Sequence, residues 1–77
     1  MWKSEGRIMS IGQSLRAARR KKDLTQAQLA KKIGVSKAYY SAWEKDRHAP
    51  HIDMLVCIAD VLDISLDELV GRRTSNR

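Results

Sequence analysis

His48, His51 and Cys57 are the side chains of this sequence best suited to hold a metal ion, and their arrangement argues against one. A structural zinc site wants four nitrogen or sulfur donors at recurring spacings, whereas here no second Cys follows and Pro50 interrupts the histidine pair. The Ser, His and Asp residues are scattered without a nucleophile motif, and no glycine-rich phosphate loop accompanies them. No metal, no cofactor and no catalysis are predicted, so the chain does not read as an enzyme. Cys57, being alone, forms no internal disulfide and fits a reducing compartment; on an apolar helix face it reads as core. What remains to do chemistry is charge.

Among 77 residues, 15 Lys+Arg stand against 9 Asp+Glu, a net charge of +6. Residues 1–47 carry 12 basic and 4 acidic side chains, 48–71 carry 5 acidic and no basic ones, and 72–77 carry 3 basic ones. Lysines that merely kept a small domain soluble would account for the total but not for this segregation. A basic first half joined to an acidic second half predicts one face that attracts a polyanion, nucleic acid first among them, and another that water or a partner covers. The length predicts one small domain without room for a separate ligand-sensing unit, and no small-molecule site is legible. No apolar run approaches the ~20 residues of a membrane span, and none follows Met1 as a secretion signal would. A cytoplasmic protein is expected.

Apolar residues recur at intervals of three and four, which predicts an all-α chain of five helices. Residues 1–9 show no repeat and are expected to be a flexible arm, with Met9 a possible second translation start; 10–71 form the domain and 72–77 a basic tail. Ser10 and Gln13 make a capping box before a first helix over about 11–22, whose apolar stripe is Ile11, Leu15 and Ala18. Arg16, Arg19, Arg20, Lys21 and Lys22 crowd its last turns, where the helix dipole favours cations. That stripe holds no aromatic to insert into lipid, so no membrane-surface role is predicted. Leu24 is expected to plug the core. Thr25 and Gln28 open a second helix over about 26–33, with Leu29, Ala30 and Ile33 inward, and Gly34 ends it. Ser36 caps a third over about 37–45. Pro50 suits the first position of a fourth, with Ile52, Leu55, Ile58, Ala59 and Leu62 inward to about 62. Ser65 and Glu68 make a third box before a short fifth helix carrying Leu66, Leu69 and Val70 and stopping at Gly71.

The stretch from Gln26 to Lys45, QAQLAKKIGVSKAYYSAWEK, stands apart. Two helices joined by a three-residue turn cross steeply when the first offers a small residue, the turn holds a Gly and both bury apolar side chains. Ala30, Gly34, and the set Leu29, Ile33, Val35, Tyr40 and Trp43 meet those conditions. Tyr40 and Trp43, three apart, face inward as core rather than forming a stacking platform for single strands. With the helices on both sides, Thr25-Gln26 opening the second and Ser65-Leu66-Asp67-Glu68-Leu69 closing the domain, residues 10–70 resemble the helix-turn-helix family of Cro and the phage repressors, the xenobiotic-response-element type.

The resemblance implies a compact, lambda-repressor-like five-helix domain whose third helix lies in the major groove of double-stranded DNA. Lys37, Ala38, Ser41 and Ala42 would then read base edges: lysine can reach guanine O6 and N7, serine can bond either base type, and alanine can touch a thymine methyl. Gln26, Ser36, Tyr39, Lys45 and Arg47 would meet phosphates. Arg19 and Glu44 would pair, tying the first helix to the third. Relatives often place long polar side chains where this chain has Ala38 and Ala42, which leaves fewer hydrogen bonds for discrimination. The function implied is a transcriptional repressor, a homodimer on a two-fold operator, joined through Leu66, Leu69 and Val70. Two alternatives share the fold: an antitoxin or restriction-modification controller, and a protein-interaction adaptor whose affinity for DNA would not depend on sequence.

Overall fold

Four of the five helices begin where a side chain takes over an unpaired amide of the first turn. The computed structural model describes residues 10–70, and all its regular elements are helices. Ser10 and Gln13 close a full capping box on α1 (Ile11–Lys21), and Thr25 and Gln28 do the same on α2 (Gln26–Ile33). Ser36 Oγ accepts the Tyr39 amide at the start of α3 (Lys37–Glu44), at 3.0 Å. α4 (Ile52–Leu62) begins two residues after Pro50, not at it: His51 is the N-cap and makes no side-chain bond. At α5 (Leu66–Leu69) only half of the expected box forms. Ser65 Oγ accepts the Glu68 amide, while the Glu68 carboxylate turns to Lys21 Nζ at 3.6 Å, lying across α1 and α5.

The first four helices also end alike. Asp23, Gly34, Asp46 and Asp63 adopt left-handed backbone with φ of 57°, 80°, 60° and 58°, respectively. The residue after each donates its amide back to a carbonyl five positions earlier: Leu24 to Arg19, Val35 to Ala30, Arg47 to Ala42 and Ile64 to Ala59. Leu24, Val35 and Ile64 then pack on the core, the apolar contact that usually accompanies this ending. Arg47 does not; it stands in solvent.

Leu15, Leu29, Tyr40, Ile58 and Leu69 are wholly enclosed at the centre, with Ala18, Ala30, Ile33, Trp43, Ala59 and Leu62 around them. Two expected core residues lie elsewhere. Ile11 is only half-buried, because α1 instead turns Gly12, Ser14 and Arg19 inward, and Ile52 is 60 % exposed at the open start of α4. Leu69 is enclosed by its own chain and is not offered to a partner as expected, whereas Leu66 and Val70 are half-buried, Leu66 packing against the same core. The apolar side chains that α4 does leave in solvent are Ile52, Val56 and Val61. Cys57 is half-buried against the core. No described helix is long and apolar enough to cross a membrane. The arm at 1–9, Gly71 as the stop of α5 and the tail at 72–77 lie outside the described residues.

Candidate nucleic-acid interface

Gly34 sets the crossing of α2 and α3. A Cβ there would meet nothing within 4 Å, so the requirement is conformational: φ of +80° is a backbone that other residues adopt at a cost. The turn it makes lets Ala30, 1 % exposed, lie under α3 and puts Lys37 at the first position of that helix. Tyr40, Trp43 and Glu44 point inward. The opposite side of α3 is therefore free, and Lys37, Ala38, Ser41, Ala42, Lys45 and Arg47 together line a shallow, open depression.

That grouping brings all four expected base-reading residues onto one surface with two of the expected phosphate contacts. Three cations and no carboxylate line the depression, whereas Asp53, Asp60, Asp63, Asp67 and Glu68 lie exposed on α4, α5 and their junction. Arg47 reaches it because of how α3 ends. Where the other three helices follow the left-handed residue with an apolar one, this ending delivers a guanidinium to the rim. Tyr39 stands at the flank, 51 % exposed, its ring packed at a tilt on Trp43 with 5.1 Å between centroids. The Ser36 hydroxyl accepts from the helix while keeping its own hydrogen free to donate.

Gln26 is placed differently from expectation. Its side-chain amide does not face outward but donates to Glu44 Oε1 at 2.8 Å, leaving the Gln26 and Ala27 backbone amides of the first turn, which the Thr25 cap does not take, as the groups open to an anion. Glu44, whose side chain is fully enclosed, is the hub of the domain. Arg19 grips it with Nε at 2.7 Å and Nη2 at 3.2 Å and spends Nη1 on the Leu24 carbonyl at 2.8 Å. Arg16 adds a guanidinium 3.6 Å away. Burial alone would raise the Glu44 pKa; the bonds from Arg19 and Gln26, with the Arg19 charge, outweigh it and hold the group at about 2. Burial first, and then the adjoining carboxylate, push the Tyr40 phenol well above its ordinary value. One buried carboxylate thus joins α1, α2 and α3.

A second tie escaped the sequence reading. The Gly12 amide donates to Asp46 Oδ1 at 2.9 Å, so the residue ending α3 also caps α1. The Ser10 hydroxyl and then this amide hold the Asp46 carboxyl below its usual value. α1 and α3 approach so closely here that a Cβ on Gly12 would run into the Glu44 carbonyl and lie 2.7 Å from that of Trp43. The signal was a glycine inside an otherwise good helix pattern, which ordinarily marks a close approach or a functional need.

The sequence profile of the family described as helix-turn-helix matches residues 15–69. The chain is 38 % identical over 66 residues to the immunity repressor protein of Bacillus phage phi105, covering 86 % of this chain and 46 % of that one. To the cryptic phage CTXphi transcriptional repressor RstR of Vibrio cholerae it is 44 % identical over 64 residues, 83 % of this chain and 57 % of that one. It thus spans about half the length of these relatives. Among solved structures it resembles the biofilm master regulator SinR in complex with DNA, with a TM-score of 0.71 at 36 % identity, over 78 % of this chain and 97 % of that one.

Proposed function

The chain belongs to the helix-turn-helix family, and from that premise we propose that it is a sequence-specific, double-stranded-DNA-binding transcriptional repressor. The observation that carries this reading is the depression on α3, where Lys37, Ala38, Ser41 and Ala42 share one open face with the cations Lys45 and Arg47. α3 lies in the major groove with its N-terminal part over the base edges; Lys37 and Ser41 bond base edges, and Lys45, Arg47 and Tyr39 hold the flanking phosphates. The first-turn amides of α2 and the Ser36 hydroxyl take a further phosphate. Bound at an operator, the domain excludes polymerase. That relatives are phage repressors, and that a similar domain has been solved on DNA, supports the assignment.

A single recognition helix reads only a few base pairs, so selectivity over a genome calls for two copies on half-sites about 34 Å apart. We place the dimer contact on α4, where Ile52 and Val56 lie one turn apart and are 60 % and 43 % exposed. The test is selection from a random duplex library at near-physiological salt, with Lys37→Ala run beside the natural chain. An enriched two-fold motif, blurred in the variant, is the expected result; binding without enrichment would sink the assignment and turn the search toward a protein partner.

A further inference from the structure

α3 turns two parallel ridges toward the depression. Lys37, Ser41 and Lys45 follow one another at four-residue intervals along the first, and Ala38 and Ala42, also four apart, make the second. The second ridge is two methyl groups. Neither side chain has a donor or an acceptor, and the aromatic ring beside them, Tyr39, is drawn against Trp43 at 5.1 Å. At 1.5 Å of rise per residue the two methyls stand about 6 Å apart. Two steps of a DNA strand, at 3.4 Å each, come to roughly 7 Å.

In the major groove the apolar group within reach of such a ridge is the C5 methyl of thymine. We propose that Ala38 and Ala42 read the C5 methyl groups of two pyrimidines two base-pair steps apart, and that the ridge accepts 5-methylcytosine in place of thymine. A T·A pair and a 5-methylcytosine·G pair carry the same methyl in the same place and differ in the atoms that hydrogen-bond, which two alanines do not sense. The inference rests on the proposed function and adds a ligand chemistry to it, a C5-methylated pyrimidine edge. It also carries a regulatory consequence: methylation of cytosine at C5 strengthens binding at these two positions.

The substitutions are made in the DNA, with the natural chain. In the duplex recovered by selection, each half-site thymine is replaced in turn by uracil, by cytosine opposite guanine, and by 5-methylcytosine opposite guanine. At two positions, two steps apart, uracil should weaken binding about fourfold, the worth of one buried methyl, and roughly fifteenfold when both are replaced. Cytosine should weaken binding there as well, and 5-methylcytosine should recover the affinity of thymine. Ala38→Gly combined with Ala42→Gly should erase the difference between thymine and uracil. Equal binding of uracil and thymine at every position overturns the proposal, as does 5-methylcytosine binding no better than cytosine, or a selected half-site without such a pyrimidine pair. Failure to enrich any sequence has a different meaning, since it removes the repressor assignment itself and the methyl reading with it.

Discussion

The amide of Gly12 and the carboxylate of Asp46 meet at 2.9 Å, joining the first turn of α1 to the end of α3. Two requirements converge on this pair. Asp46 supplies the acceptor from left-handed backbone at φ of 60°, and Gly12 allows the approach by having no Cβ. The position of α3 is therefore fixed from its C-terminal end by α1 as well as from its N-terminal end by the turn at Gly34.

Gly12→Ala should test that fixation. The new methyl has no flexible side chain to displace, only the Trp43 and Glu44 carbonyls, so α1 must move away from α3. Overpacking of this kind costs about 1–3 kcal/mol. The variant should show a lower urea midpoint than the natural chain, and Asp46→Ala should lower it too, while Asp46→Asn, which keeps an acceptor and tolerates left-handed backbone, should stay close to the natural value. A Gly12→Ala variant of unchanged stability would show that the helices are not locked here.

The Glu44 hub makes a prediction about acid. Its folded pKa of about 2 lies below the ordinary 4.5, so ionised Glu44 stabilises the fold at and above pH 4.5, and that contribution is lost as pH falls from about 4.5 toward about 2. Glu44→Gln should be markedly less stable at neutral pH, by about 3–5 kcal/mol, because it strands a buried guanidinium. Its unfolding midpoint should also lose the part of the acid decline that belongs to this group. Urea midpoints measured at intervals between pH 7 and pH 2 would separate the two curves; parallel curves would remove Glu44 from the acid transition.

How much of this was visible beforehand depended on whether a residue type has one meaning or several. Ser and Thr followed three positions later by Gln have nearly one meaning, and the starts of α1 and α2 fall where those boxes predict. Left-handed helix ends were legible at Gly34 but not at Asp23, Asp46 and Asp63, since aspartate serves caps, turns and surfaces alike. In α4 the run from Met54 to Ile58 is apolar at every position, so periodicity does not decide which side faces in, and Ile52 was put on the wrong one. Gln26 was legible as a residue at a helix start, but its bond to Glu44 depends on how α3 crosses α2, which lies beyond local pattern.

The surface of α3 implies a division of labour between neighbours only ten residues apart in sequence. In the proposed complex Lys37, at the first position of the helix, is assigned to a base and Arg47, delivered to the rim by the helix ending, to the DNA backbone. Lys37→Ala should therefore relax preference at one operator position. Arg47→Ala should weaken all sequences alike and reduce the slope of log K against log salt by about 1. Binding isotherms at several salt concentrations, on the selected duplex and on one mutated at a single position, give both quantities. Identical effects from the two variants would dissolve the distinction.

The exposed end of α4 offers the last test. Ile52 and Val56, one turn apart, are the most exposed large aliphatic side chains among the described residues, whereas Leu69 is enclosed and Leu66 packs half-buried against the core. Replacing both with lysine, in Ile52→Lys combined with Val56→Lys, touches no enclosed side chain and should leave the unfolding midpoint nearly unchanged. If α4 joins two copies, the variant should sediment as a monomer at concentrations where the natural chain is dimeric, and its protection of a two-fold operator should become non-cooperative between half-sites. The added positive charge would by itself strengthen binding to a single half-site, so the two readouts move in opposite directions. A variant that binds both half-sites as cooperatively as the natural chain would place the dimer contact elsewhere.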